Sequence, residues 1–469
     1  MPSAKSLSGL MKWLSHDDWR EAFFAVFDMH LSACDVHDVE PNELESLIGG
    51  AAFMNLWGCA FEDFLTRQDS EGRNIVDDYL TRRGWKETAT AKRYMTNLRH
   101  SVMSLYEVSD IVPGESFLAR DLVRGGEPVR VHERSGSKTL AEWDRIAARL
   151  VHMGSQTEMA GGVLLYDRAI SEDLLEDLKK MVAKLPEHRK RLAGEMGVEA
   201  TNPIVVEELS EAGLLRVSGP IFSSHWLSEI LDRVLDPQPL SFTNSDGEDL
   251  VLFIVCYPLG RGVSANPVRT ALEAIECLRP ASENFWNWIR AEDTGPLADT
   301  KQRKKTERRI STTMEGGAIV LGTIELKGLQ LIFGANSVER VKAGREMLEA
   351  ALGELVSEPT IEQQTPAELM AARSEKKQAP PPDLSSAETR ALVHLNLDRL
   401  YCQQLDEPIP MLGDVSPRTA IRSKQEREKV VSWIKTLENH MAHVPSDDPM
   451  AGYEFGWLWE ELGIANHRR

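Results

Sequence analysis

Residues 104–133 read SLYEVSDIVPGESFLARDLVRGGEPVRVHE, and the fold turns on how this stretch is taken. Its apolar side chains recur with a period of two, in short runs broken by Pro113-Gly114, by Gly125-Gly126 and by Pro128. A strand lays every second side chain on one face, whereas a helix brings positions three and four apart together. Arg124-Gly125-Gly126 stands where a hairpin turn belongs, because glycine takes up positive φ at no steric cost. Downstream, TLAEWDRIAARLV (139–151) has the spacing of a short helix, and GGVLLYDRA (161–169) returns to a β-type run. Short strands joined by tight turns predict a small barrel or a curled sheet. The glycines make no phosphate loop, since neither GxxxxGK[ST] nor a GxGxxG between strand and helix occurs.

On either side the period changes. DDWREAFFAVFDMHL (17–31), NELESLIGGAAFMNLWGCAFEDFLT (42–66), NIVDDYLTRRGW (74–85) and TATAKRYMTNLRHSVMSLYEV (88–108) carry helical spacing and predict a bundle-like set, kinked near Gly49-Gly50. ISEDLLEDLKKMVAKLPEHRKRLA (170–193) reads as a further helix, its acidic start and basic end matching the macrodipole. LSFTNSDGEDLVLFIVCYPL (240–259) and GGAIVLGTIELKGLQLIFGAN (316–336) read as hairpins, and SVERVKAGREMLEAALGELV (337–356) as a helix capped by Ser337. This order predicts helices on an antiparallel sheet. TPAELMAARSEKKQAPPPDLSSAE, polar and proline-rich, reads as an exposed linker. The expected architecture is therefore α+β and multidomain: a helical N-terminal region (1–103), a small β-rich, barrel-like module (104–169), a central antiparallel α+β region (170–356), a linker (357–387) and a helical C-terminal domain (388–469).

The 469 residues carry a net charge of −19, from 73 acidic and 54 basic side chains. Phosphate contact needs clustered Lys and Arg, so this balance argues against nucleic acid as a partner. The contrary signal is KQRKKTERR (301–309), with Lys301, Arg303, Lys304, Lys305, Arg308 and Arg309, near Trp286 and Trp288, which could stack a base. No apolar run approaches the roughly 18 residues of a membrane span. The N-terminus lacks a sustained apolar signal region, so the expected location is cytoplasmic. Cys34, Cys59, Cys256, Cys277 and Cys402 form no CxxC pair and read as free thiols in a reducing compartment.

Catalytic and metal motifs are sparse. GxSxG and HExxH are missing. His440 and His443 have a spacing that puts both on one side of a helix end, with Asp447 and Asp448 nearby; Cys34 and His37 form a thinner pair. SDGED (245–249) could hold a divalent cation, but a hairpin turn explains its Asp-Gly. No cofactor is called for, and the balance leans against an enzyme. An enzyme of unrecognised class, with a cleft in the β-rich or α+β region, is the alternative.

The best-specified loop is LDEPIPMLGDVSPRTAIRS (405–423). Pro408 and Pro410 hold the chain extended, Leu412-Gly413 turns it, and Ser416 stands as N-cap before Pro417 at the first helical position. The helix RTAIRSKQEREKVVSWIKTLENHM follows, facing an upstream helix at 388–405. These residues resemble the toxin-binding domain of the Xre/MbcA/ParS antitoxin family, matching at Pro408, Pro410, Leu412, Gly413, Ser416, Pro417 and Arg422, with Asp414 in place of a second glycine. The resemblance covers the C-terminal domain alone, and the rest of the layout resembles uncharacterised multidomain bacterial proteins. It implies a protein partner, toxin-like in kind, with YEFGWLWEELGI (453–464) as contact segment. Along that segment Phe455, Leu458 and Leu462 form one inward stripe; Tyr453, Trp457 and Trp459 either face outward or sideways as a contact surface or close the domain's own core. The resulting expectation is a bacterial protein-interaction or regulatory protein.

Overall fold

The period-two stretch closes into a barrel. A computed structural model describes residues 7–69, 71–237, 241–290, 307–309, 312–314, 318–365 and 387–468. It is α+β, with helices at both ends, and divides into two compact units: Met1–Pro237 with Pro382–Arg469, and Gln238–Pro381.

In the first unit, helices α1 (Ser8–Trp13), α2 (Asp17–His30), α3 (Ser32–Val36), α4 (Leu44–Ile48), α5 (Gly50–Thr66), α6 (Ile75–Arg83) and α7 (Ala89–Arg99) precede the barrel. Its strands are β1 (Met103–Val112), β2 (Ser116–Asp121), β3 (Val129–His132), β4 (Arg145–Met153) and β5 (Gln156–Tyr166), closed in the order β1-β2-β3-β5-β4. Neighbours are antiparallel except β3 and β5, which run parallel. Gly125 and Gly126 sit at φ +71° and +97° between β2 and β3, the conformations the hairpin reading requires. Val108, Phe117, Ala119, Val131, Ile146 and Ala148 fill the interior.

The helical reading of 139–151 is corrected, since Arg145–Met153 is β4. Its apolar residues do not alternate because both faces are covered. Ile146 and Ala148 point into the barrel core, while Ala147 joins the core between barrel and helices. A strand buried on both sides cannot be told from a helix by periodicity alone.

Helices α8 (Arg168–Met196), α9 (Pro203–Glu208), α10 (Glu211–Val217) and α11 (Gly219–Leu235) belong to this unit and not to the sheet region where sequence places them. Leu174, Leu178, Phe222, Trp226 and Leu231 join Leu56 and Cys59 of α5 and Met103, Leu105 and Leu164 of the barrel wall in one core. Helix α5 approaches β5 very closely, which the glycine pair Gly161-Gly162 permits: a Cβ on Gly162 would lie 2.5 Å from the backbone nitrogen of Cys59.

At this approach Glu62 is buried, accepting the Gly162 N–H at 2.8 Å. Burial pushes its carboxyl up to about 7, against the opposing pull of that hydrogen bond and of Arg149. Between its ordinary value of 4.5 and about 7 the folded protein therefore holds a proton that the unfolded chain has released. Stability must fall as pH rises through that window, by at most about 3 kcal/mol. Glu62→Gln is expected to remove this decline. Urea unfolding of both proteins at pH 5 and pH 8 checks it, and an unchanged difference between the two pH values would assign the titration elsewhere.

The second unit contains β6 (Ser241–Thr243), β7 (Leu252–Pro258), α12 (Ala265–Glu273), β8 (Leu278–Ser282), β9 (Phe285–Ile289), β10 (Glu307–Arg309), β11 (Thr312–Thr313), β12 (Ile319–Lys327), β13 (Gln330–Ala335), α13 (Val338–Leu352) and β14 (Thr360–Gln364). The main sheet runs β14-β7-β13-β12-β9-β8, with β11 beside β12. Side chains of α12 and α13 pack with it over Val255, Tyr257, Ile324 and Phe333. Strand β14 lies within the stretch read as linker and pairs antiparallel with β7. All its side chains are exposed, so an edge strand here has the composition of a linker. The remainder of that stretch, 366–386, lies outside the described residues.

The C-terminal domain, α14 (Ala387–Gln404), α15 (Pro417–Ala420), α16 (Lys424–Ala442) and α17 (Gly456–Glu461), packs around Leu412, Val430, Ile434, Phe455 and Leu458. No described helix is long and apolar enough to cross a membrane.

Candidate partner-binding site

The proline loop folds tightly. Ile409 bridges Val415, and its carbonyl accepts the Leu412 and Asp414 N–H groups at 2.9 and 3.1 Å. Gly413 and Asp414 are both left-handed, at φ +78° and +59°. Aspartate is among the few side chains that tolerate that region, which accounts for its standing where the family pattern has a second glycine. Pro408 and Pro410 are exposed, while Leu412 and Pro417 are buried.

Ser416 caps less than expected. Its hydroxyl bonds Thr419 Oγ1 at 3.0 Å and no backbone N–H, and α15 stops after one turn. The single long helix expected from Pro417 is broken at Ile421–Ser423, and α16 starts from Ser423. Arg427 Nε donates to the Ile421 carbonyl at 3.0 Å, giving a partner to a group the break leaves without its helical bond. Arg422 is exposed at the break.

In the tail, of the two alternatives for the aromatics, burial in the domain's own core describes Tyr453 and Trp459. Trp459 is 1% exposed and Tyr453 7%, so neither faces outward. Trp459 Nε1 donates to Glu438 at 2.9 Å and Tyr453 Oη to Asp398 at 2.8 Å, while half-buried Trp457 donates to Tyr453 Oη at 3.1 Å. Each polar tip has found an acceptor, which lets a large amphipathic ring close the domain's own core. Phe455, Leu458 and Leu462 are buried as the stripe predicts.

The helix start and the tail nevertheless meet. Arg418 pairs with Glu461 at 2.6 Å. Beside this pair Ile421, Arg427, Leu462, Gly463, Ile464, Asn466 and His467 line a groove of about 310 Å³. Another part of α16 is committed to the barrel. Lys435 bonds Glu107 and lies 4.0 Å from the Trp143 ring centroid, and Trp143 Nε1 donates to Glu438 at 2.6 Å. Asn439 donates to the Glu142 carbonyl and to Asp144, each at 2.8 Å. Burial would raise the Glu107 carboxyl, yet Lys435, Arg168 and Arg145 hold it below its ordinary value; burial lowers Lys435 against the attraction of Glu107.

Other sequence signals resolve into structural pairs. His443 bonds Asp144 at 2.8 Å, and His37 bonds Ser228 at 2.8 Å. Among the described residues no group of three His, Cys, Asp or Glu could hold a metal. Asp246 pairs with Arg290 and Arg340, and Glu248 accepts from Asn244 at 2.7 Å and Ser337 at 2.5 Å, so SDGED is a turn tied by its own chain. Trp286 (1% exposed) and Trp288 (8%) belong to the second unit's core, which removes them as a stacking surface. Lys301, Arg303, Lys304 and Lys305 lie outside the described residues; Arg308 and Arg309 lie on β10, parallel to β6.

One constellation had no sequence signal, because its members are far apart. His30 Nδ1 lies 2.5 Å from Ser223 Oγ and Nε2 lies 3.3 Å from Asp63. These are the residue types of an acyl-transfer triad. All three are fully buried, however, and Ser223 Oγ also lies 3.0 Å from the Gly219 carbonyl. Burial lowers His30, in spite of Asp63. The set joins α2, α5 and α11 as an internal strut.

A family model described as a family of unknown function (DUF7986) matches residues 59–193, from within α5 through the barrel into α8. No curated protein and no solved structure matches the chain.

Proposed function

We propose that this is a cytoplasmic bacterial interaction protein that captures a protein partner, toxin-like in kind, through the groove of its C-terminal domain. One observation carries the reading: two segments singled out separately in the sequence come together in space. Ile421 from the Ser-Pro helix start and Leu462 and Ile464 from the tail line one groove, with Arg427 and His467 beside them. The accessible lining is mainly polar, with Arg427 its cation and Ile421 its half-buried apolar side chain, which suits an acidic segment of another chain. Because Trp459 and Tyr453 are spent on the core, the contact falls to the groove residues.

The variant Ile421→Ser/His467→Glu tests it. Pull-down from native cell extract, using the full chain as bait, is expected to lose a specific partner by about tenfold or more. Stability should fall by about 1 to 2 kcal/mol, mostly from Ile421, which is half-buried against the domain core. His467→Glu alone, at an exposed side chain, is therefore expected to show part of the loss of capture with the fold undisturbed. Undiminished capture of that partner by the variant would rule the groove out.

A further inference from the structure

A second cavity, on the barrel side of the same unit, has a different character. It is a cleft of about 710 Å³ between the end of α5 (Thr66, Arg67, Gln68), the exit of α7 (Arg99 to Val102), the turn after β2 (Arg124) and α10 (Ala212, Leu215, Arg216, Val217). Four arginines and His100 line it, and no carboxylate is among the described lining residues. In a chain of net charge −19 this is a local reversal of sign.

The neighbouring acids offset much of it but leave a positive surplus, since Arg67, Arg99, Arg124, Arg149 and Arg216 face only Asp63, Asp77, Asp121 and Glu207 among the described residues. Asp63 is shared, accepting Arg67 Nε at 2.8 Å and Arg149 Nη2 at 2.6 Å, so one carboxylate faces two guanidinium charges. Arg149 also donates to the Ser101 carbonyl at 2.7 Å, which ties the cleft wall to the buried His30–Asp63 strut. Asp121 and Tyr106 take Nε and Nη2 of Arg124, at 2.7 and 2.9 Å, and Asp77 takes Nη1 of Arg99 at 2.5 Å. Among the described residues Arg216 has only a 3.9 Å approach to Glu207, both largely exposed. The guanidinium groups nearest the strut are thus fixed in place, and Arg216 is free to close on a ligand.

We propose that this cleft binds a small phosphate-bearing molecule, its phosphates held by Arg67, Arg99, Arg124 and Arg216 and its organic part against Val102, Leu215 and Val217. The guanidinium fork matches phosphate oxygens two at a time, and several forks converging suit a group of multiple charge. The cleft has the volume and mixed lining of small-molecule sites. A long polyanion would have to lie along the acidic remainder of the surface, whereas a compact ligand meets only the arginines. The site is independent of the C-terminal groove.

Isothermal titration of the full chain with inorganic pyrophosphate, ATP and citrate tests the proposal, with a single-stranded oligonucleotide as competitor. Pyrophosphate or ATP is expected to bind, with citrate weaker. Arg216→Ala should weaken the phosphate probe about tenfold or more, and Arg124→Ala likewise. Arg216→Lys should recover only part, since it returns the charge without the fork. Arg216 is more than half exposed and its ion pair with Glu207 is long, so its variants should melt as the parent does, which keeps the result readable even if Arg124→Ala is destabilised. The proposal is overturned if neither phosphate probe binds at millimolar concentration, if Arg216→Ala binds as tightly as the parent, or if citrate matches both phosphate probes. It is equally overturned if the oligonucleotide binds more tightly than pyrophosphate, which would make the cleft part of a nucleic-acid surface.

Discussion

Gly162→Val is expected to destabilise the barrel unit by more than about 3 kcal/mol, at the upper end of what overpacking costs. The new Cβ would lie 2.5 Å from the Cys59 nitrogen and 2.8 Å from both Cys59 Cα and the Gly58 carbonyl carbon. These are backbone atoms in the middle of α5, so no side chain can swing aside. The helix would have to lift from β5, opening the core that holds Leu56, Cys59, Leu105 and Leu164. Gly194→Ala is the control. This residue is an exposed helical glycine with nothing within 4 Å of a built Cβ, and the change should stabilise by about 0.5 to 1 kcal/mol. Urea unfolding of the two variants measures both signs, and a Gly162→Val protein as stable as the parent would refute the close approach.

That contact shows how far the sequence could be read. The GG of GGVLLYDRA marks a β-type run, and the strand is there, but nothing local says that the pair faces a helix backbone. Although the helical spacing read over 88–108 runs on into β1, whose first half is covered on both faces, β1 and the second half of β5 were legible as β-type runs, and β2 from its turn residues and alternation. Strand β4 was not, since both faces are covered, and β14 was not, since neither is. The assignment of 168–235 to the barrel unit was illegible for another reason. An amphipathic helix states that it has a partner but not which one, and Leu174, Phe222 and Trp226 would suit either unit. At the C-terminus the turn at Leu412-Gly413 and the helix start at Pro417 were legible, but the single helical turn over Pro410–Leu412, the left-handed Asp414 and the absence of a backbone cap from Ser416 were not. The direction of Trp459 was not, because its acceptor, Glu438, lies a helix away. The cleft arginines at 67, 99, 124 and 216 share no sequence pattern; only the packing of α5, α7, β2 and α10 assembles them.

The largest single loss is expected from Glu107→Ala, about 3 to 5 kcal/mol, the cost of breaking a buried ionic cluster from one side. Glu107 is the anion on which three cations converge: Lys435 from α16, Arg168 at 3.3 Å and Arg145 at 3.7 Å. The three do not depend on it equally. Arg145 also has Glu172 at 2.7 Å and the Ser171 hydroxyl at 2.8 Å, and Arg168 reaches the Trp143 carbonyl at 3.3 Å. Lys435 has the Trp143 ring and no second carboxylate among the described residues, so Glu107→Ala leaves this ammonium buried with little compensation. The loss should therefore be non-additive. Lys435→Met alone leaves Glu107 with two arginines and should cost only about 1 kcal/mol. The double variant Glu107→Ala/Lys435→Met should be more stable than Glu107→Ala alone, because removing the stranded charge recovers part of the penalty. A double-mutant cycle in urea measures the coupling. Two losses that simply add would mean that Lys435 is not held by Glu107, and that the C-terminal domain sits on the barrel through Trp143, Asn439 and Asp144 instead.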